Sequence, residues 1–591
     1  MSGLPCIPRR QFIRGGIAAG ALFGGRAWAL PRVPHMRIGL MTDTHVGSRI
    51  ASCSRVRQAL RLFKEHGCDI VINNGDVADR HDPQSYLNYR QVSDEVFGAS
   101  APREIFAYAW HDAYGYLGHG SDRAIEDGHL AFAEMRKLLR AENGPVDRIL
   151  HRGYVFLVMS EYTGYKGYLT WEEYESRIAR ACAENPGRPV FLVDHVPPSG
   201  TVYNSYNWGC GPARRILDKY PQVVDLTGHV HGSLRNDLFV WQGNFTVINS
   251  GCLQHWDGLQ AANPDMERKE EFGVITIDVF DDLLDVRRWD VRDGSEIGAE
   301  SPWKIPLPFV AAMAPYARER RVPAEPLPGF AKGSSVAAEQ VGTPFAGFRI
   351  RFPQVRDRTM LYRITLERRS GNAWRQVAWL EMFSDYWKHP SEREEFAELV
   401  LKEGLFDGDC EYRISVAPLN QYGAVGECIR TCVKVPRIDR GCELVFESKD
   451  PMRELRFAAG GSGANPETPK FVQADKEGFL CPPGNYLLLP EGLFSGPRGT
   501  RYRVILDART IQPTEGRTAA FRIKKYQIGM GSSLGLGTPL GDSGDERYVI
   551  DFVKDGKFDR DSLDVFVGGS VRARVCFKYI RIEKYEKKSG K

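Results

Sequence analysis

Arg37-Ile38-Gly39-Leu40-Met41-Thr42 is the stretch on which the fold turns, and Asp43-Thr44-His45 follows it directly. A short apolar run of this kind predicts a buried strand. Ser54 to His66 comes next, with Val56, Ala59, Leu60 and Phe63 at the helical period and Gly67 where a helix stops. Asp69 to Asn74 then predicts a second strand. Two strands joined by one helix make a βαβ unit, hence a parallel pairing inside an α/β layer structure. Working outward, Glu104 to Ala109, Tyr154 to Met159, Pro189 to Val193, Val223 to Thr227 and Thr246 to Asn249 are further strands, so Met36 to about Val291 reads as α/β.

Downstream the pattern changes. From about Pro306 to Gly347 the chain is rich in Pro, Ala and Gly, carries the charged run Arg318 to Arg321, and has no sustained period, as a linker does. Leu361 to Glu367, Trp374 to Leu380, Glu411 to Val416 and Cys428 to Val435 then alternate as antiparallel strands do. Leu405 to Val416, followed by Asn420-Gln421-Tyr422-Gly423, resembles a fibronectin type III domain, with Tyr412 placed as in a tyrosine corner. Tyr502 to Ala508, Ala520 to Tyr526, Tyr548 to Phe552 and Arg572 to Tyr585 predict a last all-β sandwich. Its closing run Val575 to Glu583 is similar to the final strand of jelly-roll modules that accompany carbohydrate enzymes, which implies a carbohydrate partner without assigning residues to it.

The chain has 591 residues, 42% hydrophobic and 26% charged, ordinary values for folded multidomain proteins. Its formal charge of +4 comes from Arg9, Arg10, Arg14 and Arg26, since the first 29 residues hold no acid. The remainder is neutral, which argues against wholesale capture of nucleic acid. Pro8-Arg9-Arg10-Gln11-Phe12-Ile13-Arg14, a Gly/Ala-rich apolar stretch to Gly25, and Ala27-Trp28-Ala29 together resemble a twin-arginine export signal. That implies a periplasmic or secreted protein, and no apolar run reaches transmembrane length. No Cys pair has CxxC spacing, which counts against a thiolate zinc ribbon. The expected organisation is an export signal at 1–29, an α/β unit at 30–305, a linker at 306–345, a fibronectin type III or Ig-like unit at 346–436 and a C-terminal β-sandwich at 437–591.

The chemistry is positional. Asp43 and His45 follow the first predicted strand, Gly75-Asp76 the second, His111-Asp112 the third, Asp194-His195 the fifth and Gly228-His229-Val230-His231 the sixth. Loops at the carboxyl ends of parallel strands converge, so these segments can form one site. Carboxylate and imidazole together suit Zn, Mn or Fe, and a carboxylate between two such ions can bridge them. Phosphate esters need charge neutralisation and a nucleophile, so hydrolysis of a phosphorylated small molecule or a phosphodiester is the reaction this set predicts.

The ordered set Asp43-Thr44-His45, Gly75-Asp76, His111-Asp112, Asp194-His195 and Gly228-His229-Val230-His231 resembles the calcineurin-like metallophosphoesterase superfamily over residues 36 to 291. The resemblance implies a four-layer α/β domain with two divalent ions. Asp43, His45, Asp76 and His231 would hold one ion; Asp76, His195 and His229 would hold the other, with an asparagine. A metal-bound hydroxide would attack phosphorus while His111 assists the leaving group and Asp112 orients its imidazole.

One position departs from the pattern. The family usually has asparagine before that histidine, and this chain has Trp110. Indole offers an N–H and no lone pair, so it cannot replace the amide oxygen. Three outcomes are compatible: a weaker or water-completed second site, a substitute ligand such as Asn73 or Asn74, or a centre that no longer catalyses. In the last case the chain would be a glycan- or protein-binding module on a degenerate fold. Other positions also carry two readings. Asp79 suits either an outer partner of His45 or a helix N-terminal acid. Arg80 and His81 suit a phosphate contact or an exposed loop pair. Trp110, Tyr114, Tyr116, Tyr203, Tyr206 and Trp208 suit a cleft wall or core stacking.

Overall fold

The computed structural model describes residues 32–116, 124–160, 169–254, 272–356, 358–438, 441–459, 470–480, 485–511, 519–523, 526–530, 542–555, 562–567 and 574–585. The export-signal reading, at 1–29, lies outside them.

The N-terminal unit opens with β1 (Met36–Met41), α1 (Ser54–Glu65), β2 (Ile70–Asn73), α2 (Pro83–Phe97), β3 (Arg103–Phe106), α3 (Trp110–Ala113) and α4 (Ala124–Leu139). A second run follows: β4 (Val146–His151), β5 (Tyr154–Met159), α5 (Trp171–Glu184), β6 (Val190–Val193), α6 (Ser205–Trp208), α7 (Gly211–Leu217), β7 (Val223–Thr227), β8 (Val240–Gln242) and β9 (Thr246–Asn249). The chain then returns through β10 (Gly273–Val279), β11 (Leu283–Asp290), β12 (Glu296–Ile297) and β13 (Trp303–Pro306). One sheet has the order β12-β11-β10-β1-β2-β3, with β13 also on β11; the other has the order β4-β5-β6-β7-β9-β8. β1, β2 and β3 are parallel, as are β5, β6, β7 and β9.

Alternation along β1 explains the layering. Ile38 and Leu40 join the core shared with Val155, Leu157, Leu192 and Leu226 of the other sheet. Met41, Val71 and Phe106 belong instead to the core made with Val56 and Phe63 of α1 and Tyr89 of α2. Tyr174 and Ile178 of α5 and Leu217 of α7 cover the far side of the second sheet, completing four layers. The parallel strands from both sheets therefore end along one edge, which is where the candidate ligands lie.

The middle unit comprises α8 (Arg318–Ala324), β14 (Ala337–Val341), β15 (Gly347–Pro353), β16 (Thr359–Ser370), β17 (Ala373–Phe383), β18 (Phe396–Lys402), β19 (Glu411–Asn420) and β20 (Ile429–Lys434). Its sheets are β14-β15-β18 and β17-β16-β19-β20, a seven-stranded sandwich. The expected corner is present: the Tyr412 hydroxyl accepts the Asp407 N–H at 2.9 Å. The stretch read as a linker, 306–345, contains β14, which pairs antiparallel with β15. As a mostly exposed edge strand it buries no apolar alternation that would announce it.

The C-terminal unit comprises β21 (Glu443–Ser448), α9 (Pro451–Glu454), β22 (Arg456–Ala459), β23 (Lys470–Val472), β24 (Asn485–Leu488), β25 (Arg501–Ile511), β26 (Ala519–Ile523), β27 (Tyr526–Met530), β28 (Asp542–Val553), β29 (Ser562–Val567) and β30 (Arg574–Tyr585). Its two sheets run β21-β30-β25-β28 and β23-β22-β24-β29-β26-β27, closed over Phe457, Leu506, Phe521 and Phe577. Charged contacts tie the units together. Buried Asp237 of the first receives Arg288, Arg321 of α8 and Arg358 of the middle unit at 3.1, 3.3 and 3.1 Å. Glu403 of the middle unit receives Arg503 of the last at 3.1 Å. No helix among the described residues is long and apolar enough to cross a membrane.

Candidate metal centre

Each predicted ligand sits two to four residues beyond a strand, and the backbone there bends sharply. Asp43, His45, Asp76 and His229 have φ of 49, 38, 49 and 70°, four of the eight non-glycine residues with positive φ among those described. Such conformations cost about 1–3 kcal/mol each and persist only where the surroundings impose them. Here the loops brace one another. Asp43 N–H donates to the Gly75 carbonyl, His45 N–H to the Asp76 carbonyl and Gly228 N–H to the His195 carbonyl, at 3.1, 3.0 and 2.9 Å.

The side chains converge as expected. Ligand atoms of Asp43, His45, Asp76 and His231 lie within 4.8 Å of one another, and so do those of Asp76, His195 and His229. Asp76 is the member common to both groups. Asp43 Oδ1 is 2.8 Å from His231 Nε2, while its Oδ2 accepts from the Thr42 hydroxyl at 2.8 Å and the His229 N–H at 2.9 Å. Asp76 Oδ1 accepts the His111 N–H at 3.1 Å, and Oδ2 lies 3.2 Å from His195 Nε2. Asp43, His45, Asp76, His195 and His231 are all buried.

The donor set itself fits divalent cations. His195 Nδ1 lies 2.8 Å from the Asn74 carbonyl, which can only accept, so Nδ1 carries a proton and Nε2, facing Asp76, is the atom left to meet a metal. His45 Nε2 and His231 Nε2 lie 3.4 Å apart in the other group. Imidazole nitrogens and two carboxylates gathered this closely in a buried pocket form a donor set that suits Zn, Mn or Fe. The electrostatics agree. Burial opposes the charge on Asp43, but the imidazoles of His231 and His195 outweigh it and hold that carboxyl well below its usual range. Asp76 is lowered too, against its burial, by His195. Burial, followed by the neighbouring His195, pushes His229 down to about 4, leaving its ring neutral and able to ligate near pH 7.

His111 stands at the mouth of the centre, its ring 4.8 Å from that of His45. Its Nδ1 is fixed 2.8 Å from the Asp79 carbonyl. The expectation that Asp112 orients this imidazole is corrected by the geometry. Asp112 Oδ1 accepts the Ala78 N–H and Oδ2 the Ala109 N–H, at 3.1 and 3.2 Å, so its carboxylate points back into the turn. Fully buried near Asp76, it is pushed well above its ordinary pKa, first by burial and then by that carboxylate. Asp79 instead reaches the loop that carries His45, with its carboxylate 3.7 Å from His45 Nδ1, and Asp82 caps α2. His81 is committed to Glu134 and to the Asp112 carbonyl, at 2.9 and 2.8 Å.

Trp110 opens α3 and is 45% exposed. The hydrogen bonds of Asn73 and Asn74 run to backbone. Asn73 Oδ1 accepts the Gly75 N–H, and Asn74 Nδ2 donates to the carbonyls of Asp194 and Leu226. Of the aromatic group, Tyr203 is buried and stacks on Phe239, whereas Tyr114 and Trp208 are 46% exposed.

A family model agrees with this geometry. Residues 36–233 match the model of a family described as calcineurin-like phosphoesterase, a stretch that contains every residue of both ligand groups. Similar solved structures include a dimetal phosphatase from Danio rerio, 11% identical, covering 45% of this chain and 99% of that one with a TM-score of 0.28. A Streptococcus pneumoniae protein described as a predicted phosphoesterase is 12% identical and covers 46% of this chain and 97% of its own, with a TM-score of 0.20. The fn3 domain of the human collagen alpha-1(XX) chain is 16% identical over 20% of this chain and 90% of its own, with a TM-score of 0.13. No curated protein matches the chain.

Proposed function

We propose, from the premise that residues 36–233 are a calcineurin-like phosphoesterase domain, that this protein hydrolyses phosphate esters at a two-ion centre with Asp76 as the shared ligand. The observation that carries the reading is the position of Asp76, common to both ligand groups and bonded on either side to the His111 loop and to His195. Asp43, His45, Asp76 and His231 would hold one ion, and Asp76, His195 and His229 the other. Two such ions, when bound, neutralise phosphoryl charge and make a water acidic enough to serve as nucleophile near pH 7. The chain's own groups supply the rest. With Nδ1–H held by the Asp79 carbonyl, His111 directs Nε2 outward, where a proton held at that atom can pass to the departing alcohol oxygen. Asp112 holds the turn that presents His111, and Asp79 orients His45.

The second site has three protein ligands in place of four, because Trp110 occupies the asparagine position. This one residue favours the rival reading, a degenerate centre on a binding module. A metal count beside hydrolysis of an aryl phosphate and an aryl phosphodiester separates the two readings. Turnover that Asp76→Ala abolishes supports the hydrolase; fewer than about one transition-metal ion per chain and no turnover support the binding module.

The twin arginines, apolar stretch and Ala27-Trp28-Ala29 support export through the twin-arginine pathway to the periplasm or beyond. Replacing Arg9 and Arg10 with lysine should retain the protein in the cytoplasm. Unchanged fractionation would remove this part of the reading.

A further inference from the structure

The three aromatic side chains at the rim of the centre have no role in holding metal or in the proton step. Among the described residues only four aromatic side chains belong to the exposed large hydrophobics: Trp110, Tyr114, Trp208 and Phe471. Three of the four surround this one centre. Trp110 immediately precedes His111, and the Tyr114 N–H donates to the Trp110 carbonyl at 2.9 Å, so one turn of chain carries both beside the proposed proton donor. The Tyr114 and His111 ring centres are 6.4 Å apart. On the other side, Trp208 stands edge-on to His229, with ring centres 6.2 Å apart. The Arg80 guanidinium lies 5.2 Å from the Tyr114 ring centre and adds a cation to the same wall.

Large apolar rings left in water beside a polar catalytic floor are costly to expose, and a concentration of them at one rim marks a surface that a ligand covers. We propose that Trp110, Tyr114 and Trp208 form a stacking subsite for the leaving alcohol, and that the preferred substrate is a phosphate ester of a ring-bearing alcohol, such as a nucleoside or a glycoside, over an acyclic one. The inference rests on the phosphoesterase reading and deepens it. In the reaction water adds to phosphorus, the P–O ester bond breaks, and the alcohol leaves with a proton. The ring lies on the leaving side because Trp110 and Tyr114 flank His111. On this account Trp110 exchanges a metal ligand for a flat recognition surface at the same position.

The test uses the metal-loaded full chain and compares kcat/KM for adenosine 5′-monophosphate, glucose 1-phosphate and glycerol phosphate. Trp110→Ala, Tyr114→Ala and Trp208→Ala should each lower the preference for the ring-bearing esters about ten-fold, chiefly through KM, with Trp110→Phe restoring most of the loss. Loss with the nucleotide alone identifies base stacking, and loss with the sugar phosphate alone identifies sugar stacking. Quenching of tryptophan fluorescence by adenosine or glucose, and not by glycerol, is the second readout and does not depend on turnover. Quenching without hydrolysis would overturn the phosphoesterase reading and leave ring recognition standing. A preference unchanged within two-fold in all three variants, or no quenching by either ring compound, overturns the subsite.

Discussion

Asp76 Oδ2 stands 3.2 Å from His195 Nε2, a contact between a loop of one sheet and a loop of the other. The carboxylate follows β2 and the imidazole follows β6, so the pair spans the seam at which the two layers end together. Everything proposed for this centre depends on that seam, because neither sheet alone carries a complete ligand set.

The tightest point of the seam is Gly228. A Cβ there would lie 1.9 Å from Thr42 Oγ1 and 2.7 Å from Asp43 Oδ2, which no rotamer change of Thr42 alone relieves. Gly228→Ala should therefore push the His229-Val230-His231 loop away from Asp43. It should cost about 1–3 kcal/mol of stability and weaken metal retention. Denaturant melts and a metal titration check this; wild-type behaviour in both would show that the loop can move aside freely.

Trp110 gives a prediction of the opposite sign. Trp110→Asn restores an amide oxygen at the position where an indole has none, so occupancy of the second ion should rise. Turnover of an acyclic phosphate ester should rise with it. Metal stoichiometry by plasma mass spectrometry measures this, and unchanged occupancy would mean that another group already completes the site.

A third prediction concerns pH and lies far from the centre. Glu546 of β28 is buried against Tyr548 and Gln376, whose side chains donate to its carboxylate at 2.8 and 3.3 Å. Burial raises its pKa to about 8, with Tyr548 and then Arg363 opposing the rise. The folded chain thus keeps a proton that the unfolded chain has already released. The associated stability is fully present below the ordinary glutamate range near 4.5 and is lost as pH rises from there to about 8, at up to about 1.4 kcal/mol per pH unit. Glu546→Gln should flatten that slope in denaturant melts between pH 5 and 8. Parallel curves for the two proteins would exclude a role for this proton.

The tyrosine corner offers a fourth. Tyr412→Phe removes the acceptor of the Asp407 N–H and should destabilise the middle unit by about 1–3 kcal/mol with little effect on the metal count. Loss of metal in that variant would show that the middle unit supports the centre.

The ligands are legible because each follows a short, largely apolar strand that is buried almost throughout, and parallel strands bring their ends together whatever lies between them. The expected strands Val223 to Thr227 and Thr246 to Asn249 have these same boundaries in the structure. Three features were not legible, each for a physical reason. β14 is an exposed edge strand whose pairing partner, not its composition, makes it a strand. The role of Asp112 depends on a rotamer: one residue from His111 in sequence, it turns toward the N–H groups of Ala78 and Ala109, and no spacing rule encodes that choice. The split of the aromatics between Tyr203 in the core and Trp208 at the rim follows from α6, a single turn too short to show a period.

The most direct measurement is an anomalous-difference map from crystals of the full chain loaded with manganese or zinc. Two peaks about 3.5–4 Å apart, on either side of the Asp76 carboxylate, one beside His45 and His231 and the other beside His195 and His229, are the predicted result. Absence of density at Asp76, or a peak that contacts neither imidazole group, would contradict it.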